Sequence, residues 1–173
     1  DYTFGILLIT LFFALSLGSV GDFGRSFLHD LEQAKISNLT LAFIGGIIFN
    51  FANLLLVIAI EIAGMAIAFP IGIGIALVLG VFTNYIAQPD GDPLILIIGV
   101  ILVAVAILID GIAYKKILQK TNENPLKGIL FSVSAGIAMG FFYKYVAASM
   151  ATDFMIPESG KLTPYSALVI FSL

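Results

Sequence analysis

The stretch Glu61 to Gly80, EIAGMAIAFPIGIGIALVLG, constrains this chain more than any other. It supplies the run of about 20 apolar residues that one helical crossing of a bilayer takes. Within it Gly64, Ala68, Gly72, Ala76 and Gly80 recur every fourth residue. One flank of such a helix carries almost no side-chain bulk, and another helix backbone can approach it closely. Pro70 stands in the middle. Its ring cannot share the helix with the carbonyl of Ala66, which loses its amide donor; inside a bilayer a freed carbonyl needs protein or water as a partner. A kinked, glycine-rich helix of this kind suits either the hinge and wall of a polar cavity or plain close packing. Glu61, at its edge, is a candidate coupling or charge-partner residue, or else a solvated carboxylate at the membrane surface.

The rest of the chain has the composition of the same environment. It is 60% hydrophobic and 11% charged, with a mean hydropathy of +1.11, whereas about a quarter of the residues of a soluble domain are charged. The expected fold class is therefore all-α, a polytopic bundle of transmembrane helices. There is no cysteine, which excludes disulfides and thiol chemistry within these residues. The single histidine, His29, cannot build a His-rich metal site or a histidine-based triad, and no cofactor or metal is called for. A net charge of −3 argues against nucleic acid as a partner. The chain starts at Asp1 in an apolar run and stops at Leu173 in another, so it is expected to be an internal part of a longer protein.

Five spans and the start of a sixth are predicted: about 2–20, 39–60, 61–87, 94–114, 128–150, and from Tyr165 onward. The connection Asp22 to Thr40 mixes Arg25, Asp30, Glu32 and Lys35 with Phe23, Phe27, Leu28 and Leu31. It fits a short helix lying on the membrane surface or a plain polar loop. Gln88-Pro89-Asp90-Gly91-Asp92-Pro93 is a compact turn rich in helix breakers. Lys115, Lys116, Lys120 and Lys127 mark a basic link, against Arg25, Lys35 and Lys161 on the opposite side, which points the link toward the cytoplasm. This divides the chain into 1–114, the link 115–127, and 128–173.

Few polar residues interrupt the spans. Asn50 and Asn53 lie on adjacent turns of the second, and Asn50 and Glu61 would be only about 20° apart if that helix ran as far as Glu61. Buried amides need partners; these two offer donors and acceptors to a polar, uncharged ligand, or to a neighbouring helix. In the fifth span Gly128, Ser132, Gly136 and Gly140 form another four-residue row whose next member is Lys144, a lysine that either projects from the small-residue face toward the interior or snorkels to the membrane surface on its long stem. Tyr143 and Tyr145 beside it either bound a substrate pocket or belong to an interfacial aromatic belt. Asp110, near the end of its span, is expected at the interface. Gly160-Lys161-Leu162 lacks the spacing of a phosphate-binding loop, and Gly72-Ile73-Gly74 has no strand before it, so no nucleotide site is indicated. No nucleophile is paired with a base, so the chain is not expected to be an enzyme.

Taken in order, GGIIFNFAN (Gly45 to Asn53), AGMAIAFPIGIGIALVLG (Ala63 to Gly80), FFYKYVAASM (Phe141 to Met150) and GKLTPYSA (Gly160 to Ala167) resemble bacterial permeases of the drug/metabolite transporter superfamily. The branch they resemble is the glucose/ribose porter and ureide permease-like group. The resemblance implies ten helices in two five-helix repeats of opposite orientation, of which 1–114 would be the first repeat without its first helix and 128–173 the start of the second. It implies a multi-pass protein of the bacterial cytoplasmic membrane that moves a small polar metabolite, such as a sugar or ureide, by alternating access. Asn50, Asn53, Lys144, Tyr143 and Tyr145 are then the candidate substrate contacts, and Glu61 the carrier if a proton is coupled. Gly64, Ala68, Pro70, Gly72, Ala76, Gly80, Gly136 and Gly140 are the candidate hinge and packing residues. The short 115–127 link departs from the longer central region of plant ureide permeases. The contrasting expectation is a non-transporting structural or assembly subunit, whose small-residue rows serve only helix packing.

Overall fold

A computed structural model describes residues 2–20, 24–87, 89, 91–117 and 125–173. Asp22 and Phe23, Gln88 and Asp90, positions 118–124 of the basic link and the side chains of Lys115 and Lys116 lie outside the described residues. The described chain is all-α: α1 (Tyr2–Leu15), α2 (Phe27–Gln33), α3 (Ile36–Ala63), α4 (Met65–Ala87), α5 (Pro93–Ile117), α6 (Pro125–Ser149) and α7 (Pro164–Ser172). The one extended pairing among the described residues is an isolated parallel bridge between Met150 and Leu162.

Four helices are long and apolar enough to cross a membrane: Ile36–Ala63, Met65–Ala87, Pro93–Asp110 and Leu126–Ser149, with mean hydropathies of 2.3, 2.5, 2.9 and 1.5. In the third of these, 0% of the residues are buried. Water would strongly disfavour so apolar an exposed helix, whereas lipid covers it. The protein is thus a membrane protein built from transmembrane helices.

Within the first predicted span, about 2–20, the regular helix is α1, which ends at Leu15. The small residues after it close the helix instead of extending it. Ser16 Oγ donates to the Phe12 carbonyl at 2.6 Å, Ser19 Oγ to the Ala14 carbonyl at 2.8 Å, and the Gly18 amide reaches back to Phe13. Serine hydroxyls compete in this way with the helical ladder.

The second and third predicted spans part at Gly64, which carries φ +83°. Its amide donates to the Ile60 carbonyl, and its own carbonyl accepts from Ile67 and Ala68. One glycine thereby ends α3 in the left-handed conformation that such a C-terminus favours and starts α4. Pro70 sits six residues into α4, and the helix continues past it. Glu61, expected between the two spans, lies instead inside α3.

By its internal contacts the chain forms two units, Asp1–Ile47 with Tyr145–Leu173, and Ile48–Lys144. In the first, Ala14, Phe27 and Val169 make one buried cluster with Leu11, Leu31 and Tyr165 around it. Ala42, Leu162 and Ala167 make another, backed by Leu39, Met150 and Ile170. Gly46 lies directly against the backbone of Phe171, a contact that only glycine permits. In the second unit Leu56 and Ala59 of α3, Ala68 of α4 and Ala135 of α6 form the core, with Phe131 packed on it.

Candidate functional site

The side chains singled out in the sequence fall into three groups. Helix α3 runs unbroken through Glu61, so Asn50 and Glu61 do share a face, about 20° apart. Both are exposed, with Leu54 and Val57 between them on the same strip. The opposite strip, Ala52, Leu56, Ala59 and Ala63, is the buried one. Asn53 is half-buried and turns back on its own helix, donating from Nδ2 to the Phe49 carbonyl at 2.8 Å. Asn50 and Asn53 are therefore different in kind: one amide is free to meet a ligand or partner, and the other is half spent on its own backbone.

The second group is the aromatic run of α6. The Phe142 ring packs on Phe49 of α3 with centroids 4.9 Å apart, next to Asn50 in sequence, and Tyr143 lies edge-on to Phe142 at 6.3 Å. Tyr143 is exposed and Tyr145 half-buried. Lys144 is exposed instead of directed into the small-residue face. The reason is geometric. Each four-residue step overshoots a full turn by about 40°, so a row begun at Gly128 has wound about 160° around α6 by Lys144. Among the described residues neither Lys144 nor Glu61 forms an ion pair. Asp110 is also exposed, at the end of its apolar window.

The third group is the small-residue rows. A Cβ placed on Gly136 would lie 2.5 Å from the Gly72 carbonyl oxygen and 2.8 Å from Ile75 Cβ. One on Gly140 would lie 2.6 Å from Leu79 Cβ and 3.3 Å from the Ala76 carbonyl. The middle of the α4 row thus meets the middle of the α6 row backbone to backbone. Gly80, at the end of its row, has open space around it, and so does Gly64, whose glycine is required by its φ. The same winding that exposes Lys144 carries the ends of the rows off the seam.

Ser132 completes the α6 row and is fully buried, yet its Oγ has no hydrogen-bond partner. A buried hydroxyl without a partner lowers stability. Ser132→Ala is expected to leave the thermal unfolding midpoint in detergent unchanged or raise it by up to about 1 kcal/mol equivalent. A fall of several degrees would mean that the hydroxyl is satisfied in the working protein.

The most densely bonded polar cluster was not singled out by the sequence reading. Asp30 of α2 is 0% exposed. Its Oδ1 accepts from Arg25 Nε at 2.9 Å and from Gln33 Nε2 at 3.2 Å. Its Oδ2 accepts from the Thr163 amide at 2.7 Å and from Thr163 Oγ1 at 3.0 Å. Arg25 Nη2 donates in turn to the carbonyls of Glu158 and Lys161, at 2.9 and 2.8 Å. Gln33 Oε1 accepts from the Gly160 amide, and Asn38 Nδ2 donates to the Gly160 carbonyl at 2.6 Å. Together these bonds clasp the 25–38 segment to the 151–163 connection, and Asp30 places a carboxylate at the N-terminus of α7, where the helix dipole favours it. A signal was present in the sequence: at helical spacing Asp30 falls on the same side as Phe27 and Leu31, and a carboxylate on an apolar face needs buried partners.

No family model, curated protein or solved structure matches the chain. Topology must therefore be argued from the clasp. Two connections joined by direct hydrogen bonds lie on one side of a membrane, and an even number of crossings must separate them. Helices α3, α4, α5 and α6 supply four. Arg25, Lys35 and Lys161 accordingly share a side.

Proposed function

We propose that the protein is a secondary transporter of the bacterial cytoplasmic membrane that moves a small polar metabolite, of the sugar or ureide kind, by alternating access. In this reading the described helices are part of two inverted five-helix repeats. The observation that carries it is the exposed strip of α3 on which Asn50 and Glu61 stand among apolar residues of a membrane-spanning helix. A charged side chain costs about 2.5–3.5 kcal/mol at the bilayer centre, and polar or ionisable groups within a spanning helix face a protein interior or a water-filled cavity rather than lipid. That strip then borders the substrate path. Asn50 contacts substrate, Asn53 and Tyr143 lie nearby in chain position and on the neighbouring helix, and Glu61 carries the proton if one is coupled. Lys144 and Tyr145 serve at the mouth of the path. The Gly64 joint and Pro70, which removes one amide donor from α4, lie beside the glycine seam of Gly72, Gly136 and Gly140 and supply two places where α4 can change direction.

The test is uptake into proteoliposomes across a panel of sugars, allantoin, nucleobases and amino acids, with and without an imposed pH gradient. Asn50→Leu is expected to cut uptake of the transported compound about tenfold or more, the equivalent of one lost ligand hydrogen bond. Asn53→Leu should cost less, because its donor is already used by Phe49. If no compound moves in a folded preparation, or Asn50→Leu transports normally, the strip is a helix-packing surface and the protein an assembly subunit.

A further inference from the structure

We propose that the first unit holds a binding site for an anionic amphiphile, a molecule with a phosphate or carboxylate head on a hydrocarbon tail, separate from the transport path. The site is a cavity of about 520 Å³, within the size range of small-molecule pockets. One wall is Arg25, the sole charged side chain among the described residues that line it; the others include Leu17, Phe154, Met155, Pro164 and Tyr165.

The guanidinium is fixed and incompletely used. Of its five N–H bonds, Nε is taken by Asp30 and the two of Nη2 by the Glu158 and Lys161 carbonyls. The pair on Nη1 has no acceptor among the described residues. Arginine is the side chain best matched to phosphate and carboxylate oxygens, and here three bonds hold it in place, so a ligand would lose little free energy in ordering it. Asp30 already neutralises its charge, and recognition therefore rests on the two unused Nη1 N–H donors rather than on a long-range field.

The remaining walls supply the apolar half. Leu17 is 62%, Phe154 58% and Met155 56% exposed. Phe154 and Met155 stand out because they lie in a polar connection, between Thr152-Asp153 and Glu158-Ser159. Asp153 shapes that turn by accepting from the Met155 amide at 2.8 Å, which leaves the two apolar side chains presented outward. The cavity also begins just past the end of α1, beside Leu17 and Gly18. That is the depth at which an apolar helix gives way to headgroups. A head and its first methylenes fill the cavity; the tail continues over Leu17, Phe154 and Met155.

Arg25 also holds Asp30, so replacing it would mix binding with folding. Met155→Glu is the cleaner variant: the side chain is exposed, makes no hydrogen bond, and a carboxylate there would face the incoming anion. Leu94→Glu, on the exposed start of α5, is the control. The full chain in detergent is examined by native mass spectrometry with phosphatidic acid, with diacylglycerol of the same chains, with decyl phosphate and with inorganic phosphate. We expect phosphatidic acid to be retained at least about tenfold more than diacylglycerol, and Met155→Glu to remove that margin while Leu94→Glu keeps it. Binding of decyl phosphate as well would identify water-borne amphiphiles as a second source; its failure beside bound phosphatidic acid would make a membrane lipid the occupant. The proposal is overturned if diacylglycerol is retained equally, if inorganic phosphate binds as tightly as decyl phosphate, or if Met155→Glu changes nothing. None of these outcomes depends on transport, so a failure of the carrier reading leaves the test intact.

Discussion

Asp30→Asn is expected to lower the thermal unfolding midpoint in detergent by about 10 °C or more, although the side chain keeps its size and shape. Both carboxylate oxygens of Asp30 are acceptors, Oδ1 for Arg25 and Gln33, and Oδ2 for the amide and hydroxyl of Thr163. An asparagine has one oxygen. Whichever way its amide is turned, the NH2 group faces two donors, and one side of the clasp is broken. Removing one member of a buried ion pair costs about 3–5 kcal/mol because the other charge is stranded, and in a chain of this length each kcal/mol moves the midpoint by about 2–4 °C. Asp30→Ala should cost as much or more. If Asp30→Asn unfolds within 2 °C of the parent protein, the clasp does not hold the two connections together.

Gly136→Ala is expected to destabilise, and Gly80→Ala to stabilise, though both glycines sit in four-residue rows of small residues. A methyl on Gly136 meets the backbone oxygen of Gly72, which cannot rotate away, so α4 and α6 must move apart along their whole seam. Overpacking of this kind costs about 1–3 kcal/mol; Gly136→Val should cost more and reduce the yield of folded protein. Gly80 has nothing within 4 Å of the added carbon, so the substitution only removes the flexibility of glycine from a helix, worth up to about 1 kcal/mol. Equal effects at the two positions, measured by thermal unfolding in the same detergent, would show that the rows do not pack as described.

That contrast also separates what was legible in the residues from what was not. Apolar length and the placing of breakers are local properties, and they mark out α3, α4, α5 and α6 to within a few residues. A row of small residues is local too, but which of its members reaches the seam depends on where the partner helix crosses. Winding of about 40° per step decides that Gly72 and Gly136 meet while Gly80 and Lys144 do not. The end of α1 is a further case: hydropathy does not register that Ser16 and Ser19 turn their hydroxyls onto the helix carbonyls.

Apolar length in the sequence already sets the solvent of this protein, because a chain this apolar satisfies its backbone hydrogen bonds internally as helices within lipid. The sequence also places the break between α3 and α4 at Gly64, whose φ is positive. Only the tertiary structure decided the partners of Asp30. Its donors come from Arg25 and Gln33 nearby and from Thr163, more than a hundred residues away in the chain, and no local period can encode a bond across that distance. The same holds for the cavity beside Arg25, which exists because the clasp brings Leu17, Gly18, Gly24 and Arg25 against Phe154, Met155 and Thr163 to Tyr165.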